Sequence, residues 1–169
     1  MLKQIYSSID RMNQMIGSLV SWLSLLLVLV IVFDVLLRYV FNWSSPLSFE
    51  LEWHLFSILF LLSAGWTLQR DKHVRVDVFY NSFSQKKKDI VNIFGTVFFL
   101  IPLCCVAVIE SIPFVINSYQ VLEKSNDPGG LPARYLIKSM IPIGFICLGL
   151  QGVSMIFRSI LNLTHPQDD

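Results

Sequence analysis

The residues of this chain that could do chemistry are a few charged and imidazole side chains set in apolar surroundings. Asp34 and Arg38 stand four residues apart inside a long apolar run. At that spacing opposite charges pair on one face of a helix. Such a pair either neutralises itself near a membrane boundary or reaches another helix or subunit, because a lipid-facing aspartate is costly. Glu50, Glu52 and His54 follow at the start of the next apolar run. Glu50 and His54 share a helical face, and both acids fall in opening turns, where the helix dipole favours negative charge. A proton relay would need further acids continuing inward, and none follows. Glu110 and Pro113 mark the far end of a third apolar run, and Lys138 lies one turn into a fourth, where its stem can snorkel outward. Glu110 and Lys138 could pair if their helices bring them to one depth.

Other chemistries are poorly served. Cys104 and Cys105 are adjacent, too close for an ordinary disulfide, and Cys147 also lies in an apolar run. No histidine accompanies them to build a zinc site, so they read as small packing residues. A haem anchor needs two histidines at matched depth. Only His54 is near a span, since His73 and His165 lie outside the apolar runs. No serine pairs with an intramembrane histidine for nucleophilic catalysis. The chain is therefore expected to be no enzyme and to hold no cofactor or metal. Its net charge of +1 offers nothing to nucleic acid. A redox-complex anchor and a stand-alone small exporter stay as alternatives. Small exporters use a central acid in the first helix, whereas Asp34 lies near the outer end of its run. The broken helices and repeated halves of carriers are not visible.

These residues need membrane helices to position them. Hydrophobic residues make up 54% of the 169 and charged residues only 15%, against about 25% charged in soluble domains. Four stretches, about 14–41, 49–68, 89–118 and 133–157, are long enough to cross a bilayer. In lipid each must be a helix, because its backbone groups have to be satisfied internally. The apolar run from Gly17 to Phe33 outlasts a signal peptide's and leads to no small-residue cleavage site, so it reads as a retained anchor. Two amphipathic segments, about 2–12 (Leu2, Ile5, Tyr6, Ile9, Met12) and 74–85 (Val76, Phe79, Tyr80, Phe83), read as helices lying in the headgroup plane, with an arm packed on a partner as the alternative. The expected fold class is an all-α membrane protein: one domain over 1–169, four transmembrane helices plus interfacial amphipathic helices.

Basic residues set the orientation. Lys3, Arg11, Arg70, Lys72, Arg75, Lys86, Lys87, Lys88 and Arg158 fall on one side, and Arg38, Lys124, Arg134 and Lys138 on the other. Nine against four places both termini in the cytoplasm. Arg70, Lys72 and Lys86–Lys88 read as membrane-surface residues facing anionic lipid. Pro46 suits a first helical position, and SNDPGGLP, Ser125 to Pro132, is a turn-rich connection. Trp43 and Trp53 near one boundary and Trp66 near the other fit aromatic belts. Gly144, Gly149 and Gly152 with Gln151, and Gly95 with Asn92, would let helices approach closely, either within the chain or on a partner.

Four stretches carry a resemblance: RYVFN at Arg38–Asn42, FELEWHLF at Phe49–Phe56, DKHVRVDVFY at Asp71–Tyr80, and PGGLPARYLIKSMIPIGFICLGLQG at Pro128–Gly152. Together the chain resembles, over nearly its whole length, the small membrane subunit of tripartite ATP-independent periplasmic (TRAP) transporters. The second half is similar to the branch labelled for mannitol or chloroaromatic compounds. Many relatives carry paired acids at the second helix, and here Leu51 separates Glu50 from Glu52. The resemblance implies a bacterial inner-membrane system. In it a soluble periplasmic protein captures a substrate, often an organic acid, and a large multi-span subunit carries it inward on a sodium gradient. Sodium is expected on that large partner. The small subunit would be a fixed scaffold clamping an elevator-type partner and helping to dock the binding protein. Arg38, Glu50, Arg75, Asp77 and Arg134 are the polar contacts expected to matter most, with Arg75 and Asp77 in HVRVD fixing the bend after the second helix.

Overall fold

The computed structural model describes residues 2–70 and 83–164. Helix α1 runs Leu2–Phe41, α2 Pro46–Gln69, α3 Gln85–Gly95, α4 Ile101–Gln120 and α5 Arg134–Thr164. A π-helical turn, Thr96–Leu100, joins α3 to α4 without a break, so the third span is continuous from Gln85 to Gln120. Among the described residues there is no strand, and four helices are long and apolar enough to cross a membrane.

Local sequence accounts for the helix boundaries. Ser45 caps α2, its Oγ accepting from the Leu47 N–H at 3.3 Å, and Pro46 follows at the position where its missing N–H costs nothing. Asn42 breaks α1 with φ +50°. Pro102 explains the π turn. Its ring crowds the carbonyl four residues back, and the preceding turn widens, so that the Ile101 N–H reaches the carbonyl of Thr96. The amphipathic residues 2–12 belong to α1 itself, which is one helix from Leu2 onward. Their polar members are held by α5, as described below. The segment 74–85 lies outside the described residues up to 82.

The helices pack with α5 as the hub. It runs parallel to α2, antiparallel to α1 and antiparallel to the third span. A third of its most apolar stretch is buried within the protein, against 11% for each other span. A small apolar core forms where Leu68 of α2, Cys104 of α4 and Leu148 of α5 meet. Glycines set the closest approaches. A Cβ on Gly144 would stand 2.9 Å from the Leu61 carbonyl oxygen, and one on Gly17 would strike the Trp66 indole. Trp66, near the end of α2, packs on α1, where Gly17 leaves room for its ring.

The interior is as polar as it is apolar. Among the described residues, buried Asn13, Asp34, Glu50, Asp89, Thr96, Ser111, Ser118, Gln151, Ser154 and Ser159 outnumber the buried hydrophobic ones, while Leu19, Trp22, Leu29, Phe33 and Phe99 point outward. With apolar faces turned to lipid there is no hydrophobic force between helices. Small-residue packing and interhelical hydrogen bonds hold them instead. On the third span the buried positions are Asp89, Thr96, Cys104, Ser111 and Ser118. Their spacing is seven residues throughout except for eight between Thr96 and Cys104, where the π turn takes up the extra residue. A seven-residue repeat keeps one face against a neighbouring helix, and the wide turn preserves that face across the insertion.

Candidate functional site

Two polar knots fasten the bundle, one at each end. The first lies at the end carrying the α1–α2 and α4–α5 connections, here the loop end. Glu50, 2% exposed in the second turn of α2, is its centre. One carboxylate oxygen accepts from Ser125 Oγ and from the Arg134 guanidinium at 2.9 Å; the other accepts from the Leu131 backbone N–H at 2.5 Å. Glu50 thus ties α2 to the α4–α5 connection and to the first residue of α5. The connection is shaped for this contact. Ser125 and Leu131 pair across it, Gly129 adopts φ +83°, and a Cβ on Gly130 would intrude to 2.7 Å from the Glu50 carboxylate. Arg134 also lies 5.9 Å from the Trp53 ring centroid, within cation–π range.

The remaining expected site residues at the loop end fall around this knot. His54 donates its Nδ1–H to the Glu50 carbonyl at 2.6 Å, and its ring lies against Trp53. Lys138 pairs with Glu123 and sits over the Phe114 ring. The pairing weighed for Glu110 and Lys138 is therefore replaced. Glu110 points outward on α4, and Lys138 reaches the connection, where Glu123 stands. Asp34 and Arg38 do pair, as their spacing predicts, with Asp34 buried and the Arg38 side chain half exposed. Glu52 lies in the electrostatic range of both. Its Oε1 is buried without a hydrogen-bond partner. Arg70, Lys86 and Lys87 are exposed, whereas Lys88 is half-buried. Lys72, Arg75 and Asp77 lie outside the described residues.

The Lys138 ammonium and neighbouring hydrogen bonding hold the Glu123 carboxyl below its ordinary value of 4.5. A carboxylate with a depressed folded value stabilises the fold above its unfolded value and loses that contribution as pH falls through the folded one. Acidification from 4.5 downward is therefore expected to loosen the α4–α5 connection. Protease cleavage at residues 121–133, followed against pH, checks this. Lys138→Met should already be loosened at neutral pH and respond less to acid.

The second knot lies at the end carrying both termini, and it was not anticipated as a site. Asp10 of α1 accepts from Gln151 Nε2 at 2.9 Å, Ser154 Oγ at 2.7 Å and Arg158 at 2.7 Å, all on α5. Asn13, fully buried, donates to Gln151 Oε1 at 2.8 Å, and Gln69 of α2 donates to the Asp10 carbonyl at 2.9 Å. Three helices are thus joined by one aspartate. The sequence signal was available: Asp10 and Asn13, and Gln151, Ser154 and Arg158, each share a helical face. Asp10→Ala is expected to cost about 2 kcal/mol, the worth of hydrogen bonds to a charged group. An unchanged thermal midpoint in detergent would show that the knot contributes nothing.

Among the described residues no group of His, Cys, Asp and Glu is arranged to hold a metal ion. Cys104, Cys105 and Cys147 are free thiols, with Cys104 and Cys147 buried in helix packing. What the geometry offers is two fastened ends and broad apolar flanks, the form of a membrane component that works with others.

Comparison with known families decides which. The family described as "Tripartite ATP-independent periplasmic transporters, DctQ component" matches residues 27–162. The chain belongs to this DctQ family. The match takes in α2, the third span, most of α5 and the last part of α1, and so covers the whole loop-end knot. No curated protein matches the chain significantly. As a DctQ component it is the small membrane subunit of a TRAP transporter, a multi-pass part of a transport system, and the redox-anchor and lone-exporter readings are set aside.

Proposed function

We propose that this DctQ component is the fixed scaffold of a sodium-coupled, binding-protein-dependent transporter for organic acids. It clamps the large elevator-type subunit, which carries sodium and substrate, and its loop end helps to dock the periplasmic binding protein. The observation that carries the reading is the pair of knots: helices pinned to one another at both ends, with long apolar faces left outward. A partner that moves through the membrane needs a neighbour that keeps its shape. The basic residues support an orientation with both termini in the bacterial cytoplasm and the Glu50 knot facing the periplasm. Arg70 and Lys86–Lys88 then anchor the scaffold on the anionic inner leaflet, the lipid contact of this subunit.

Co-expression with the large subunit, purification in mild detergent and reconstitution test the reading. The expected result is a stable complex that takes up an organic acid only with the binding protein and a sodium gradient present. Recovery of the small subunit alone, or uptake by the large subunit without it, would overturn the scaffold role.

A further inference from the structure

The loop-end half of α2 presents an aromatic face with an acid set into it. Phe49, Glu52, Phe56 and Phe60 follow one another at offsets of three, four and four residues, so they share a helical face. The three phenylalanines are 66%, 56% and 65% exposed, and the rings of Phe56 and Phe60 stack at 6.3 Å. Glu52 therefore has apolar surface both above and below it. Turned to lipid, this face would set a carboxylate between aromatic rings in the opening turns of α2, where charge needs a partner or water.

The charges around Glu52 do not balance. Asp34 and Arg38 pair with each other across the seam from α1. Glu52 feels both, and it has no cation of its own among the described residues. Glu52 is half-buried, and its Oε1 is buried without a hydrogen-bond partner. Two carboxylates and one guanidinium leave one negative charge on a face otherwise made of exposed aromatic rings.

We infer that this face seats a helix of the large subunit, with an arginine or lysine of that helix paired to Glu52. The phenylalanines supply flat apolar contact and rings over which a cationic stem can lie, and the carboxylate supplies the charge. Helix α1 offers a comparison. Leu19, Trp22 and Leu29 of α1 are exposed without an acid among them, as a lipid-facing surface should be. The inference rests on the scaffold reading and names the place on the subunit where the clamp is made.

The test is co-purification of the large subunit with affinity-tagged small subunit carrying Glu52→Asp, Glu52→Gln or Glu52→Arg. Removing one partner of a desolvated charge pair weakens association by about 30-fold or more. Glu52→Asp should keep most of the large subunit, Glu52→Gln should lose it by roughly that factor, and Glu52→Arg should lose more through repulsion. Replacing a basic residue of the large subunit by an acid should restore assembly with Glu52→Arg. Glu52→Gln is nearly the same shape as the native residue, so its own recovery separates lost contact from lost folding. Wild-type levels of large subunit with both Gln and Arg variants would overturn the inference while leaving the scaffold reading intact. Loss of bound phosphatidylethanolamine with assembly unchanged would also overturn it, by making the cation a lipid amine. Failure of the wild-type protein to retain the large subunit would instead sink the scaffold reading, and this inference with it.

Discussion

Glu50→Ala is expected to lower uptake by the reconstituted transporter about tenfold or more, while the subunit still inserts in the membrane, because losing one partner of a buried pair strands the other. The reason lies in what Glu50 holds. Its carboxylate is the common acceptor for Ser125, the Leu131 N–H and Arg134, which come from the α4–α5 connection and the start of α5. Alanine leaves a part-buried backbone donor and a half-buried guanidinium without their shared acceptor. The connection then loses its hydrogen bonds to α2, and the Arg134–Trp53 contact is left to hold the start of α5 on α2. Glu50→Gln should fall between alanine and wild type, since an amide oxygen still accepts from Leu131 but brings no charge to Arg134. Uptake assays paired with proteolysis of residues 121–133 make the check. Full uptake by the alanine variant with a protected connection would show that the knot is dispensable.

The second large effect is expected from glycine. Gly144 lets α2 and α5 touch backbone to backbone, for an added Cβ would lie 2.9 Å from the Leu61 carbonyl oxygen and 3.0 Å from the Leu61 Cβ. Neither atom can swing aside, because one is backbone and the other is fixed to it. Gly144→Val is expected to cost roughly 3 kcal/mol or more, or roughly 10 °C in thermal midpoint for a chain of this length. Two neighbouring glycines serve as controls. A Cβ on Gly149 meets the Cys104 Cβ at 3.4 Å, an ordinary contact, and one on Gly95 meets nothing within 4 Å. Alanine at either should be neutral or stabilise by up to about 1 kcal/mol through helix propensity. Equal melting of the Gly144→Val and Gly149→Ala proteins would show that the α2–α5 approach is not a constraint.

Much of this architecture could be read from residue order, and the reasons are physical. Lipid admits few backbone arrangements, so length and hydropathy identify the spans. Pro46 at the start of α2, and Asp34 with Arg38 on α1, follow from local rules of capping and spacing, and the structure has both. Glu50 and Arg134 stand out in the sequence as charge at a boundary, but their contact does not, because it joins residues 84 positions apart. Lys138 shows the same limit: its place near the end of a span left Glu110 open as a partner, and the fold supplies Glu123. The Asp10 knot was missed for another reason. Residues 2–12 were read by their apolar stripe, Leu2, Ile5, Tyr6, Ile9 and Met12. The small polar face opposite, which carries Asp10 and Asn13, proved to be the side that binds α5.

The π turn in the third span bears on how chains of this kind can vary by descent. An insertion in an ordinary transmembrane helix rotates everything beyond it by about 100°, carrying buried residues into lipid and lipid-facing ones inward. Here one extra residue between Thr96 and Cys104 is absorbed within Thr96–Leu100, and Cys104, Ser111 and Ser118 still face α5. Loss of a single residue from that turn would leave an unbroken seven-residue spacing, so the packed side is kept provided Pro102, the proline that opens the turn, is replaced as well. The third span is therefore a stretch where the length of the protein can drift by one residue, for instance to follow a change in bilayer thickness, without any compensating change in α5.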